Sequence, residues 1–278
     1  MNYATPTTLA EALELMAEPD VTALAGGTDF YPARVGRLPE GPVLDLGGLS
    51  ELRGIEVSDT QIRIGALTTW TEIAEEDLPD GCRALQEAAV TVGGWQIQNV
   101  GTIGGNLCNS SPAADGIPPL LVVDAIVELA SASGIRRMPL QEFLLDYRRT
   151  ALRSDELLTA VLIPHQATGG RSSFLKLGSR RYLVISVVMV GARLVADGDG
   201  TITEARVAVG ACSPVAQRLA VLERDLLGVG VDAASTVVDD RHLDVLASIS
   251  DVRATAGYRR DAARVLVQRA LDRCVLPA

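Results

Sequence analysis

The stretch QIQNVGTIGGNLCNSSPAADGIPPLLVVDA, residues 96–125, carries the reading of this chain, and a shorter stretch upstream, AGGTDFYPAR at residues 25–34, completes it. In both, paired glycines interrupt a run of apolar and small polar residues. Gly26-Gly27 follow Thr22–Ala25, which reads as a short strand, and Gly104-Gly105 follow Thr102-Ile103. Glycine accepts dihedrals that other residues avoid and lets a ligand approach the backbone. Successive amides in such a turn make a concavity suited to phosphate. Thr28 adds a hydroxyl and Asn106 a side-chain amide, so the two loops could converge on one diphosphate. Taken singly, each glycine pair also fits a tight turn, and Asp29 or Lys176 alone fits a solvated surface charge. No G-x-G-x-x-G opens a helix and no G-x-x-x-x-G-K-[ST] occurs, which disfavours a Rossmann site and a P-loop.

Working outward, Thr8-x-x-Glu11 and Thr69-x-x-Glu72 are capping-box patterns that predict helices, the first over Thr8–Ala17. Thr22–Ala25, Val43–Leu46, Gly54–Val57, Gln61–Gly65, Asp124–Leu129 and Leu157–Ile163 read as strands. Cys82–Val92 reads as a helix ending at Gly93-Gly94, Asn99–Ser111 as a loop and Pro139–Tyr147 as a short helix. The polar segment His165–Gly170 is the best linker candidate. Beyond it, Ser173–Leu177, Val184–Val195 and Thr201–Val209 read as strands, with a hairpin turn at Asp197–Gly200. Arg218–Leu227 and Ala254–Cys274 read as helices, the latter amphipathic with Tyr258, Ala262, Val265, Leu266, Arg269 and Ala270. Short mixed strands and helices without regular alternation place the chain in the α+β class.

The 278 residues are 47% hydrophobic and 22% charged, an ordinary globular balance that argues against extended disorder. A net charge of −10 makes nucleic acid a poor partner. The start MNYATPTTLAEALELM has no basic region and no long apolar run, so no export signal is expected; no stretch predicts a membrane span, and the expected location is the cytoplasm. Cys82, Cys108, Cys212 and Cys274 are scattered without C-x-x-C spacing, and the two histidines, His165 and His242, lack neighbouring metal-ligand partners. Neither a zinc site, an iron–sulfur cluster nor a histidine triad follows from that pattern, so chemistry here falls to a cofactor.

The two glycine-rich stretches resemble the FAD-binding medium subunit of the xanthine dehydrogenase and carbon monoxide dehydrogenase (molybdenum hydroxylase) family. The likeness extends through ELLTAVLIP (156–164), SSFLKLGSRRYLVISVVMVGARL (172–194), ACSPVAQRLAVLERDLLG (211–228) and SDVRATAGYRRDAARVLVQRAL (250–271). It implies a two-subdomain FAD-binding fold of the vanillyl-alcohol-oxidase (PCMH) type over residues 1–168, then a smaller α/β C-terminal domain over 169–278. It also implies residue roles. Leu24, Ala25, Gly26, Gly27, Thr28, Asp29 and Phe30 match the loop that wraps the FAD diphosphate and approaches the flavin. Thr102, Gly104, Gly105 and Asn106 match the second diphosphate loop. Cys108 stands where the family often has a small or aliphatic residue against the cofactor. Asp115 matches the acid that hydrogen-bonds the adenosine ribose, and Val92 and Gly93 match residues lining the cofactor. Leu158 and Lys176 match positions near the isoalloxazine ring, and Tyr182 lies where some relatives place an aromatic residue against it. The chain departs from the family pattern at Gln98, where arginine is usual, and at Val184-Ile185-Ser186, where Asp-Ile-Ala is common.

The function that the resemblance implies is electron transfer. Substrate would be hydroxylated in a large molybdopterin subunit, electrons would cross a small subunit with two [2Fe-2S] clusters, and non-covalent FAD here would reduce NAD, a quinone or oxygen. A stand-alone flavin oxidoreductase of the same fold and a non-catalytic assembly subunit are the rival readings.

Overall fold

The computed structural model describes residues 3–37, 39–181 and 183–275. The N-terminal unit holds strand β1 (Tyr3–Ala4), helix α1 (Leu9–Met16), β2 (Thr22–Leu24) and β3 (Val43–Asp45). Thr8 caps α1 by accepting from the Glu11 amide at 3.3 Å, one half of the predicted capping box, while the Glu11 carboxylate accepts from the Thr7 amide at 3.1 Å rather than from Thr8. The strands form a parallel sheet in the order β1-β3-β2, with Leu24 opposite Asp45. Ala12 and Met16 of α1 pack with Leu44, Leu46, Leu49 and Leu52 beneath it. The chain therefore leaves β2 at a sheet edge and enters Gly26-Gly27 there.

The second unit comprises β4 (Ile55–Val57), β5 (Gln61–Gly65), α2 (Trp70–Glu75), α3 (Arg83–Ala89), α4 (Trp95–Gln98), α5 (Ile103–Asn109), α6 (Ile117–Val122), β6 (Ile126–Ser131), β7 (Gly134–Pro139), α7 (Leu140–Phe143), β8 (Leu144–Asp146), β9 (Arg149–Thr150) and β10 (Leu157–Pro164). Its sheet is antiparallel in the order β4-β5-β10-β6-β7. The Thr69 capping box of α2 is reciprocal: Glu72 accepts from the Thr69 amide at 2.6 Å and Thr69 accepts from the Glu72 amide. Trp70, Leu85, Ile103, Leu107 and Phe143 fill the core between sheet and helices.

Two expectations need correcting here. The segment Asn99–Ser111 is not a loop throughout, because Ile103–Asn109 is helical. Its glycines disfavour a helix by propensity, but packing overrides that: a Cβ on Gly104 would sit 2.7 Å from the Ala66 carbonyl oxygen. The predicted helix Pro139–Tyr147 stops at Phe143 and continues as a strand. Helix α6 and strand β7 carry no expectation from the sequence; the prolines of α6 occupy its first turn, where a missing amide costs nothing.

The C-terminal unit contains β11 (Arg171–Leu177), β12 (Val188–Ala196), β13 (Ile202–Gly210), β14 (Gln217–Arg218), α8 (Ala220–Asp225) and α9 (Ala256–Val275). Its four strands are antiparallel in sequence order. Val188, Val190, Ala192 and Leu194 alternate onto the face covered by α8 and α9. On the other face, Gly191 lets Pro118 of α6 come so close that a Cβ would lie 2.9 Å from the Pro118 carbonyl carbon. Both faces are thus buried, which is why β12 reads as an apolar run interrupted only by Arg193. The buried stripe of α9 is Ala263, Leu266, Val267, Ala270, Leu271 and Cys274, whereas Tyr258 is exposed and Val265 sits at the margin. Two arginines of this sheet cap the carbonyl end of α6, and a third pairs with the aspartate just beyond it. Arg193 donates to the Val122 carbonyl at 2.9 Å, Arg218 donates to Leu121 at 3.1 Å, and Arg218 and Arg206 both pair with Asp124.

Candidate cofactor site

A cavity of about 760 Å³ opens between the N-terminal and second units. One wall is residues 24–30. The Gly27 amide plane turns back at φ 70°, and the Tyr31 amide donates to the Gly27 carbonyl at 3.2 Å. Gly26 is pressed against the opposite wall: a Cβ there would lie 1.7 Å from the Val100 carbonyl oxygen. Among the described residues, the amides of Gly26, Gly27, Thr28 and Asp29 donate to no other group of the protein. Four neighbouring unpaired amides at a cavity wall make the anion-binding concavity expected of this loop.

The second loop works differently. The Ile103 amide donates to Thr68, Gly104 to Ala66, Gly105 to the Thr102 hydroxyl and Asn106 to the Thr102 carbonyl, all at 2.9–3.1 Å. The amides of this loop are already used within the protein, so they are not the phosphate donors that the Gly-Gly pattern suggests. The Asn106 side chain is the donor that this wall offers. It lines the cavity, its Oδ1 is buried without a partner, and among the described residues its Nδ2 donates to no protein group. Whichever way the amide is turned, a polar end is left unpaired. Replacing Asn106 with alanine is therefore expected to leave thermal stability unchanged or slightly higher, since an unsatisfied group is removed. Ligand affinity should fall about tenfold, the contribution of one hydrogen bond to a charged group. Melting curves and a titration with FAD check the two halves, and a loss of stability equal to the loss of affinity would contradict the assignment.

Leu24, Ala25, Gly26, Gly27, Thr28, Asp29, Phe30, Val92, Thr102, Gly104, Gly105, Asn106, Cys108 and Leu158 all line the cavity. Gly93 does not; it is a turn residue at φ 55° whose missing Cβ makes room for Ile97. Asp115 and Lys176 are not on the lining either. They bond each other at 2.5 Å, with Lys176 also donating to the Thr91 carbonyl and the Ser186 hydroxyl donating to Asp115 at 2.6 Å. The resemblance sends Asp115 to the adenosine ribose and Lys176 to the ring; the structure brings the two side chains into direct contact. Tyr182 lies outside the described residues. Burial pushes the Asp115 carboxyl up from its ordinary value, opposed by the Lys176 charge and by the hydrogen bonds from Lys176 and Ser186. Burial also pushes the Cys108 thiol up to about 12, so it is protonated at neutral pH and a poor nucleophile.

Sequence reasoning missed Trp70, Ile97, Asn109, Arg148 and Ile185, which also line the cavity. Trp70 was within reach of it, as a large apolar residue directly after a capping box. Arg148 was not, because its position depends on a hairpin turn at φ 50° in a residue that is not glycine. Glu156 lines the cavity with its charge already engaged: Arg136 donates to both its oxygens at 2.6 and 2.8 Å, which holds this carboxyl below its ordinary value. Among the described residues, no group of three or more His, Cys, Asp or Glu side chains is placed to hold a metal ion. No helix among them is long and apolar enough to cross a membrane.

Comparison with known proteins shows the family of the chain. Residues 1–166 match the family model described as FAD binding domain in molybdopterin dehydrogenase, and residues 173–274 match that of the CO dehydrogenase flavoprotein C-terminal domain. The chain is 40% identical to the nicotinate dehydrogenase FAD-subunit of Eubacterium barkeri over 210 residues, covering 72% of this chain and 71% of that one. It is 30% identical to the xanthine dehydrogenase FAD-binding subunit of Escherichia coli O157:H7, covering 100% and 97%. The fold is similar to a chain of reconstituted CO dehydrogenase from Oligotropha carboxidovorans, with a TM-score of 0.90, 27% identity and coverage of 99% and 97%. The chain belongs to the FAD-binding flavoprotein subunits of the molybdenum hydroxylase family. Its relatives are oxidoreductase components, and its cofactor is FAD.

Proposed function

We propose that this chain holds FAD non-covalently in the cavity between residues 24–30 and helix α5 and relays electrons within a larger complex. The observation that carries the reading is the row of unpaired amides from Gly26 to Asp29, facing a cavity whose other wall offers the unpaired Asn106 side chain. These groups fit a diphosphate, and the missing Cβ of Gly26 lets the loop close onto the Val100 carbonyl, which sets the amides in place. FAD supplies one- and two-electron redox chemistry when bound. The protein's share is to bind, orient and shield. The Gly26–Asp29 amides and Asn106 hold the diphosphate. Thr28 and Thr102 flank it, and Leu24, Ala25, Phe30, Val92, Cys108 and Leu158 give apolar walls. Asp115 and Lys176 act together at one end of the cavity, next to Ala114 and Ile185 on its lining, and keep a neutralised ion pair there rather than moving protons.

The partners proposed are a small subunit with two [2Fe-2S] clusters and a large molybdopterin subunit, with NAD, a quinone or oxygen as acceptor and the cytoplasm as location. Residues 1–168 are assigned to the FAD-binding domain and 169–278 to the C-terminal domain. In support, the relatives named above are themselves subunits of dehydrogenases. The test is the absorption spectrum of the purified chain before and after FAD, followed by acid precipitation and then by co-expression with the neighbouring subunits. Flavin retained on desalting, released into the acid supernatant and reduced by substrate only in the co-expressed complex is the expected result. A folded chain that takes up no flavin even beside its partners would remove the proposal.

A further inference from the structure

We propose that Asp29, Asn109 and Arg148 form a latch that fastens the loop of residues 24–30 over bound cofactor, with Arg148 a positioning residue acting through Asp29; this rests on the reading that the cavity holds FAD. The three side chains come from separate parts of the fold. Asp29 belongs to the first loop, Asn109 ends α5, and Arg148 sits in the turn between β8 and β9. All three line the cavity. An Arg148 Nη donates to the Asn109 Oδ1 at 2.5 Å and lies 3.4 Å from the Asp29 carboxylate, while the Asn109 Nδ2 donates to the same carboxylate. Arginine only donates and a carboxylate only accepts, so the orientation of the Asn109 amide between them is fixed by chemistry.

The hairpin that carries Arg148 is built to aim it. β8 and β9 pair only with each other among the described residues. The turn holds Arg148 at φ 50°, a conformation uncommon for a residue with a side chain, and its amide is tied to the Ser110 carbonyl at 3.1 Å. Ser110 is itself the left-handed residue that ends α5. The turn is therefore pinned to the helix that forms the second wall, and the guanidinium points back across the cavity to the first. Among the described residues, no other side-chain hydrogen bond joins residues 25–34 to the second unit. The latch is also at the mouth of the cavity, with the Arg148 and Asp29 side chains 45% and 52% exposed, so dissolved salt reaches it.

The experiment is the rate at which FAD leaves the full-length, FAD-loaded chain into an excess of a flavin-scavenging apoprotein, at low and high sodium chloride. Arg148→Met and Asp29→Asn are expected to release FAD about two- to fivefold faster, the range open to a half-exposed ion pair. High salt should speed release from the unaltered chain by a similar factor and have little effect on either variant. The double variant should release no faster than the singles, because both remove the same contact, and Arg148→Lys should recover part of the retention. Additive effects would place Arg148 directly on the ligand and overturn the latch, as would unchanged rates in variants that bind FAD. A correctly folded parent chain that binds no FAD would overturn the underlying cofactor reading and the latch with it, an outcome separate from the other two.

Discussion

Replacing Lys176 with methionine is expected to cost about 3–5 kcal/mol of stability at neutral pH, the usual penalty for stripping one partner from a buried ion pair. Both side chains are well shielded, at 10% and 6% exposure, so solvent cannot stand in for the missing charge. The pair joins the loop before α6 to strand β11 and, through Ser186, to the chain entering β12, so it fastens the C-terminal sheet to the second unit. The pH dependence separates this cause from a packing defect. Burial already raises the Asp115 carboxyl, and the Lys176 charge opposes the rise. Without Lys176, the folded protein holds a proton on Asp115 that the unfolded chain releases in the ordinary carboxylate range. The variant therefore loses stability as pH climbs through and above that range, and regains it toward acid. Melting temperatures across pH 4–8, roughly the span above the ordinary carboxylate value, should show the gap to the parent widening with pH. Adding Asp115→Asn to the variant should close much of it. Parallel curves at every pH would mean that Asp115 does not feel Lys176.

The second large effect is expected at Gly26. An alanine Cβ there would sit 1.7 Å from the Val100 carbonyl oxygen and 2.6 Å from its carbon, and both are backbone atoms that cannot rotate aside. The two walls must part. Overpacking of this kind costs about 1–3 kcal/mol in stability. Binding suffers more, because the amides of Gly26–Asp29 move off their positions. Losing even one hydrogen bond to a charged phosphate removes about 1.5–3 kcal/mol, so FAD affinity should fall about tenfold or more. Gly230→Ala is the control: nothing lies within 4 Å of its added Cβ and its φ is not positive. Fluorescence titration of both variants decides the matter, and a Gly26→Ala chain that binds like the control would refute the close approach of the two walls.

Much of the strand layout was legible in the sequence, because apolar alternation and turn residues mark it directly. Gln61–Gly65 was placed to the residue, and the Asp197–Gly200 hairpin, the Thr8 N-cap and the Thr69 capping box stand where their side-chain chemistry puts them. What failed was local propensity overruled by packing. Gly104 looks like a loop residue until Ala66 is seen to need the space, and the α6 prolines look like breakers until they fall in a first turn. The cavity lining followed the two glycine stretches closely, yet the division of labour between them did not. A motif records that amides are available, not whether a neighbouring strand end has taken them, and only the bonds to Ala66 and Thr68 reveal that. Arg148 and Asn109 are invisible for a related reason, since no periodicity announces residues whose roles depend on Asp29, 119 and 80 positions away.

That cavity is walled by segments remote from one another in the chain, with Gly26 lying on Val100 and Gly65 paired with Ala160. Non-local pairings of this kind are the slow steps of folding, since the intervening chain must be closed before any contact rewards it. The pocket is thus expected to form among the last features as the polypeptide folds. A cofactor that needs both walls at once would then enter a nearly finished protein rather than template an unfinished one, and its capture would be a late checkpoint in the maturation of the subunit.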